Sequence, residues 1–120
     1  MFTEMMASGS GGGSGISYID FNNLIHSQKI AEESTSVTYT ATQDCYVFFA
    51  LRIYGMNLAT LKVNNKKIDS VANSSNTNLE FHMTTPAKTG DVVTLTMNNN
   101  KINQSNMYVY GLSNEVVAKP

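Results

Sequence analysis

The residue types that most often carry chemistry are few in this chain, and they lie far apart. His26 and His82 sit in separate strand-like runs, and no HxH, HExxH or Cys/His cluster offers zinc ligands at a usable spacing. Cys45 is the single cysteine, so it has no internal disulfide partner. It falls on the apolar row of a strand pattern with no neighbour that would lower its pKa, and it reads as a small buried hydrophobe. Asp20, Asp44, Asp69 and Asp91 are scattered near strand ends and read as turn formers rather than calcium ligands. Serine and threonine are abundant, yet no G-x-S-x-G elbow appears. "GSGGGSG" neither follows a strand nor ends in a P-loop lysine, so phosphate binding is not expected. The pattern points away from an enzyme: no catalytic residue, metal site or cofactor is expected.

Polar chemistry is concentrated in asparagine instead, in "NSSNTN" (73–78) and "NNNKINQSN" (98–106). An amide side chain offers both a donor and an acceptor to sugar hydroxyls, and a nearby tyrosine can pack on a sugar face. Asn73, Asn76, Asn98, Asn99, Asn100 and Asn103 are therefore candidate ligand-loop residues. The alternative is plain loop composition. Asn73-Ser74-Ser75 and Asn103-Gln104-Ser105 match the N-glycosylation pattern, which asparagine-rich loops also produce by chance.

The elements that must position these loops read as β. Strand-like runs are "ISYIDFNNLIHS", "SVTYTA", "CYVFFALRIY", "LATLKVN", "KKIDSVA", "NLEFHMT", "DVVTLTMN" and "NMYVYGLS". The segments between them are rich in Asn, Asp, Gly, Ser and Pro, which supply tight-turn angles. Asn64-Asn65 reads as a hairpin turn, and Gly90 closes another. "QKIAEES" (28–34) is the only helix candidate and is too short to stand alone. Short strands at regular spacing predict a sandwich or barrel.

One strand poses a question. In residues 45–54 one row is Cys45, Val47, Phe49, Leu51 and Ile53; the other is Tyr46, Phe48, Ala50, Arg52 and Tyr54. Both are largely apolar, but only one can face a sandwich core. Tyr108, Tyr110 and Leu112 repeat the problem. A subunit interface would cover the second row, since tyrosine suits interfaces. Tyr46, Phe48, Arg52, Tyr54, Tyr108 and Tyr110 are the candidate interface residues, and a homotrimer is expected. The alternative is a wider core under loops.

The chain of 120 residues fits one domain, with 42% hydrophobic and 14% charged residues and a net charge of −1. Near-neutral charge argues against nucleic acid, and no run of 18 apolar residues suggests membrane insertion. The start lacks the basic and apolar regions of a secretory signal. "MFTEMM" precedes the linker "ASGSGGGSG", so residues 1–15 read as a flexible glycine-rich arm and 16–120 as the head. Phe2, Met5 and Met6 are candidate anchoring residues, a greasy plug gripped by a partner; the alternative is a start-codon remnant.

"YTATQDCYVFFALRIYG", "ATLKVNNKKIDS", "TTPAKTGDVVTLT" and "NMYVYGL" resemble the jelly-roll head modules of bacteriophage tail-fibre and virion appendage proteins. Cys45 and Asn65 stand where that pattern usually has glycine. The resemblance covers roughly residues 35–112. It implies an all-β, antiparallel jelly-roll-like sandwich, shaped like tumour-necrosis-factor heads and trimeric. It also implies a structural virion protein of a tail, baseplate or capsid fibre, made in the host cytoplasm and located in the particle. The arm would join other virion proteins, and the distal loops would meet host-surface carbohydrate. A bacterial carbohydrate-binding or adhesion module is the alternative function.

Overall fold

The computed structural model describes residues 18–31, 35–55, 57–98 and 104–113. Eight strands follow in order: β1 (Tyr18–Ile30), β2 (Ser36–Thr40), β3 (Cys45–Tyr54), β4 (Asn57–Val63), β5 (Lys66–Asn73), β6 (Asn78–Ala87), β7 (Val92–Met97) and β8 (Ser105–Ser113). They form two four-stranded sheets, β1-β8-β3-β6 and β2-β7-β4-β5. Every pairing is antiparallel. Eight antiparallel strands in this order make a jelly-roll-like sandwich; the strand and turn pattern predicts the sandwich. Gln28–Ile30, the start of the helix candidate, belong to β1. The arm, with Phe2, Met5 and Met6, lies outside the described residues.

The turns follow their residue types. Asn64 and Asn65 join β4 to β5 with φ of 52° and 69°, the left-handed pair that a two-residue hairpin demands. Each of the four aspartates accepts a backbone N–H, three of them near a strand end and Asp69 within β5: Asp20 from Asn22 at 3.0 Å, Asp44 from Thr89 at 3.0 Å, Asp69 from Ser70 at 2.8 Å and Asp91 from Lys88 at 2.9 Å. Pro86 lies on β6, an edge strand, where a missing N–H can face away from the ladder.

The core fills the space between the sheets. One side is the row Cys45, Val47, Phe49, Leu51 and Ile53 with Met83, Met107 and Val109; the other is Val37, Ala59, Leu61, Val93, Leu95 and Met97. Burial of each large side chain here is worth about 1.5–3 kcal/mol. Cys45 is fully buried as expected, and burial, then the charges of Asp44 and Asp91, push its thiol up to about 11.

The second row of β3 finds cover within the same chain. Tyr46 and Phe48 pack edge to face at 5.0 Å, Phe48 and Tyr110 at 5.5 Å, and Phe21 from β1 closes the group at 5.1 Å from Tyr110 and 5.9 Å from Phe48. Tyr46, Phe48, Tyr108 and Tyr110 are half-buried without a second copy. The aromatic row thus gives no ground for the expected homotrimer: a lateral aromatic cluster, capped by a residue distant in sequence, meets the need that a trimer contact was expected to meet.

Candidate functional site

The site is the outer face of the sheet β1-β8-β3-β6. Register stacks it into ranks across three strands. Tyr110, Tyr46 and Pro86 make one; Tyr108, Phe48 and Thr84 the next; then Asn106, Ala50 and His82; then Arg52 and Glu80. The face therefore changes from aromatic to polar along β3. Ala50 carries the smallest side chain of its row, so the third rank is sunk between Phe48 and Arg52. A groove of about 260 Å³ lies there, lined by Phe21, Phe48, Ala50, His82, Thr84, Tyr108 and Tyr110. A second depression of about 140 Å³, lined by Ala50, Arg52, Glu80, His82 and Gln104, adjoins it. The two share Ala50 and His82.

A break in β1 builds the groove's outer wall. Ile19 pairs with Leu112 and Leu24 with Tyr110, so four residues of β1 stand opposite a single residue of β8. This irregularity lifts Asp20–Asn23 out of the ladder, as bulges do when they re-aim a side chain. Phe21 swings onto the aromatic cluster and stays 62% exposed. Asn23 goes the other way, into the notch left by Gly111. A Cβ on Gly111 would collide with the Asn23 amide nitrogen, with Asn23 Cγ at 3.2 Å and Gln43 Nε2 at 3.3 Å. Gly111 thus admits the side chain that seats the bulge.

At the polar end, Arg52 Nη1 donates to Gln104 Oε1 at 3.0 Å, and the Arg52 backbone N–H donates to Ser105 Oγ at 2.9 Å. Gln104 has φ of 50°, a left-handed conformation that a side chain seldom adopts. These contacts tie the entry of β8 to the guanidinium of β3.

The structure distributes the expected site residues unevenly. Tyr46, Phe48, Arg52, Tyr108 and Tyr110 share this face, and Tyr54 ends β3 exposed. Asn73 and Asn76 lie at the Arg52 end of the sandwich, because Asn57 pairs with Asn73 and Tyr54 with Asn78; Asn98 follows β7 at the same end. Their roles differ. Asn73 is 1% exposed, and its amide donates to the Ile53 and Thr77 carbonyls at 2.8 Å each. Asn98 Oδ1 accepts the Leu58 N–H at 2.7 Å. Asn76 is exposed. Asn99, Asn100 and Asn103 lie outside the described residues. The reading from sequence missed Phe21, Ala50, Glu80, His82, Thr84 and Gln104. Two signals could have found some of them: the lone small residue in a row of large ones, and the loss of alternation at "DFNN".

Elsewhere, His26 stacks on Tyr39 at 5.1 Å across the edges of the two sheets, away from the groove. A larger depression of about 300 Å³ opens between the free edges of β5 and β6, around Val63, Ile68, Pro86 and Ala87. Its walls mix these aliphatic residues with Asn64, Lys66, Thr85, Lys88 and Asp91 and lack an aromatic platform, so it is the weaker candidate despite its size. Among the described residues, no group of three or more His, Cys, Asp or Glu could hold a metal ion, and no helix is long and apolar enough to cross a membrane.

No protein-family model matches the chain, and no curated protein matches it. Two solved structures similar to it are family 35 carbohydrate-binding modules. One, from an environmental isolate, is 16% identical, with 84% of this chain and 88% of that one covered and a TM-score of 0.43. The other, from Clostridium thermocellum, is 13% identical, with 78% and 85% covered and a TM-score of 0.39. Neither is a phage tail-fibre or virion appendage head, the family expected from the sequence, and that expectation is not kept. The homotrimer, the virion partners, the structural role in a phage particle and the virion location are corrected with it.

Proposed function

We propose that this chain is a non-catalytic carbohydrate-binding module whose binding surface is the groove on the outer face of the β1-β8-β3-β6 sheet. The observation that carries the reading is the juxtaposition of an aromatic platform with a compact polar group. Phe21, Phe48, Tyr108 and Tyr110 line one part; Arg52, Glu80, His82 and Gln104 line the next. A pyranose ring has an apolar C–H face and a rim of hydroxyls. Aromatic rings accept the first, and side chains that both donate and accept serve the second. Ligand sites generally combine an apolar lining with a few convergent polar groups.

The test is a glycan array followed by calorimetry on the hits. Phe48→Ala should weaken binding at least about tenfold, or ~1.4 kcal/mol. Phe21→Ala removes a mostly exposed ring, so it should weaken binding with little loss of stability. Binding that both variants leave unchanged would place any sugar site elsewhere, and an array without hits would refute the reading.

A further inference from the structure

We infer that the depression beyond Ala50 is a second sugar subsite, so that the groove takes a neutral linear oligosaccharide running along β3 and not a single sugar. This rests on the carbohydrate reading above and adds to it the class of ligand.

Continuity is the first ground. The two depressions share Ala50 and His82, and the Ala50 methyl is the low point between Phe48 and Arg52. A ligand seated on the aromatic rank would pass over Ala50, the smallest side chain of the row, on its way to the guanidinium. Length is the second. Phe48 and Arg52 are four residues apart on one strand and point to the same face. At a rise of about 3.3 Å per residue they stand roughly 13 Å apart. One pyranose ring stacked at Phe48 does not also reach Arg52; a chain does.

Chemistry is the third. The far subsite holds a guanidinium, a carboxylate, an imidazole and an amide. Donors and acceptors side by side suit vicinal hydroxyls, each of which both gives and takes a hydrogen bond. Arg52 is held by Gln104 at 3.0 Å, so its remaining donors are presented with less ordering left to the ligand. Glu80 is the cross-strand partner of Arg52. A uronate carboxylate brought to Arg52 would also meet Glu80, and the repulsion would offset the attraction. Balanced charge therefore favours neutral chains.

The experiment is calorimetry of the whole chain. The probes are cello-, manno- and xylo-oligosaccharides of one to five units, with oligogalacturonates of the same lengths. In at least one neutral series, affinity should rise about tenfold to hundredfold from monosaccharide to trisaccharide and then level, the range for hydrogen bonds to a charged group. Oligogalacturonates should gain less. Arg52→Met keeps the stem and removes the donors; it should abolish the gain in affinity from monosaccharide to trisaccharide. Glu80→Gln, at an exposed position, should shift preference toward the oligogalacturonates. A monosaccharide that binds as tightly as the trisaccharide overturns the second subsite, and a wild-type preference for oligogalacturonate overturns the neutral ligand. Either result leaves the sugar reading standing as long as Phe48→Ala still weakens binding. Absence of binding in every neutral series overturns the inference, and an empty glycan array overturns the reading beneath it.

Discussion

Asn73→Asp exchanges one amide nitrogen for an oxygen at the last residue of β5, and the structure allows its cost to be worked out. The wild-type Nδ2 donates to the carbonyls of Ile53 and Thr77 at 2.8 Å each. Oδ1 accepts from the Ser75 N–H at 2.9 Å and the Ser75 hydroxyl at 2.8 Å. The side chain is buried at 1% exposure, so water replaces none of these bonds. Aspartate keeps both Ser75 contacts but turns a double donor into an oxygen facing two carbonyls. At neutral pH this is a buried charge without its counterpart, which costs about 3–5 kcal/mol, a large share of the ~5–15 kcal/mol that holds a typical domain. Protonation relieves part of it, because the carboxylic acid can donate to one of the two carbonyls. The folded-state pKa of the new carboxyl must therefore lie above its unfolded value of about 3.9. Below that unfolded value the acid form's stability is fully present; it is lost as pH rises through the folded pKa. Urea melts at about pH 4.5 and about pH 7.5 should show the variant regaining stability relative to wild type on acidification. Asn73→Ala should lose about 2–4 kcal/mol with no such pH dependence, at roughly 1 kcal/mol net per hydrogen bond. An Asn73→Asp protein within ~1 kcal/mol of wild type at neutral pH, and flat with pH, would refute the reasoning. If it lost sugar binding instead of stability, Asn73 would be a ligand group and not a structural one.

Two further outcomes are expected. Gly111→Ala should leave the urea midpoint within the equivalent of ~1 kcal/mol, because alanine suits a strand interior better than glycine and the clash is with the far end of Asn23; sugar affinity should still fall in calorimetry, since the bulge that aims Phe21 loses its inner seat. For Cys45, burial first and then Asp44 and Asp91 raise the thiol from 9.0 to about 11. Between those values the unfolded chain has released a proton that the folded chain keeps. Wild type should then lose about 2–3 kcal/mol relative to Cys45→Ala as pH rises through that window in urea melts.

How much of this was legible in the sequence depended on how local each determinant is. The ten residues of β3 match the strand-like run "CYVFFALRIY" bounded by turn residues, and Asn64-Asn65 turn with the positive φ their types permit. Those features are set by neighbours one or two positions away. The site depends on register instead. The row Tyr46, Phe48, Ala50, Arg52 and Tyr54 was visible as a problem, because aromatics on a second face need cover. Its solution lies in Phe21, far back in the chain. Phe21 reaches Phe48 only because β1 breaks its pairing between Ile19 and Leu24. Inserted residues destroy the period-two pattern by which a strand is recognised, so the segment that aims the residue also hides its direction. A subunit interface was the economical answer while β1 was taken as regular. The asparagines show the converse limit. Asn73 and Asn76 are the same residue type three positions apart, yet the first ends β5 buried with its amide fully engaged and the other faces water. Composition marks such a loop as able to bind a sugar. Only the pairing of Asn57 with Asn73 turns the first amide inward, where its donors close the end of β3. The groove, by contrast, gathers Phe21, Ala50, His82 and Gln104 from four strands or their ends. No two of them are near enough in sequence to have made a motif, which is why the groove can be well formed here while the chain carries no signature of it.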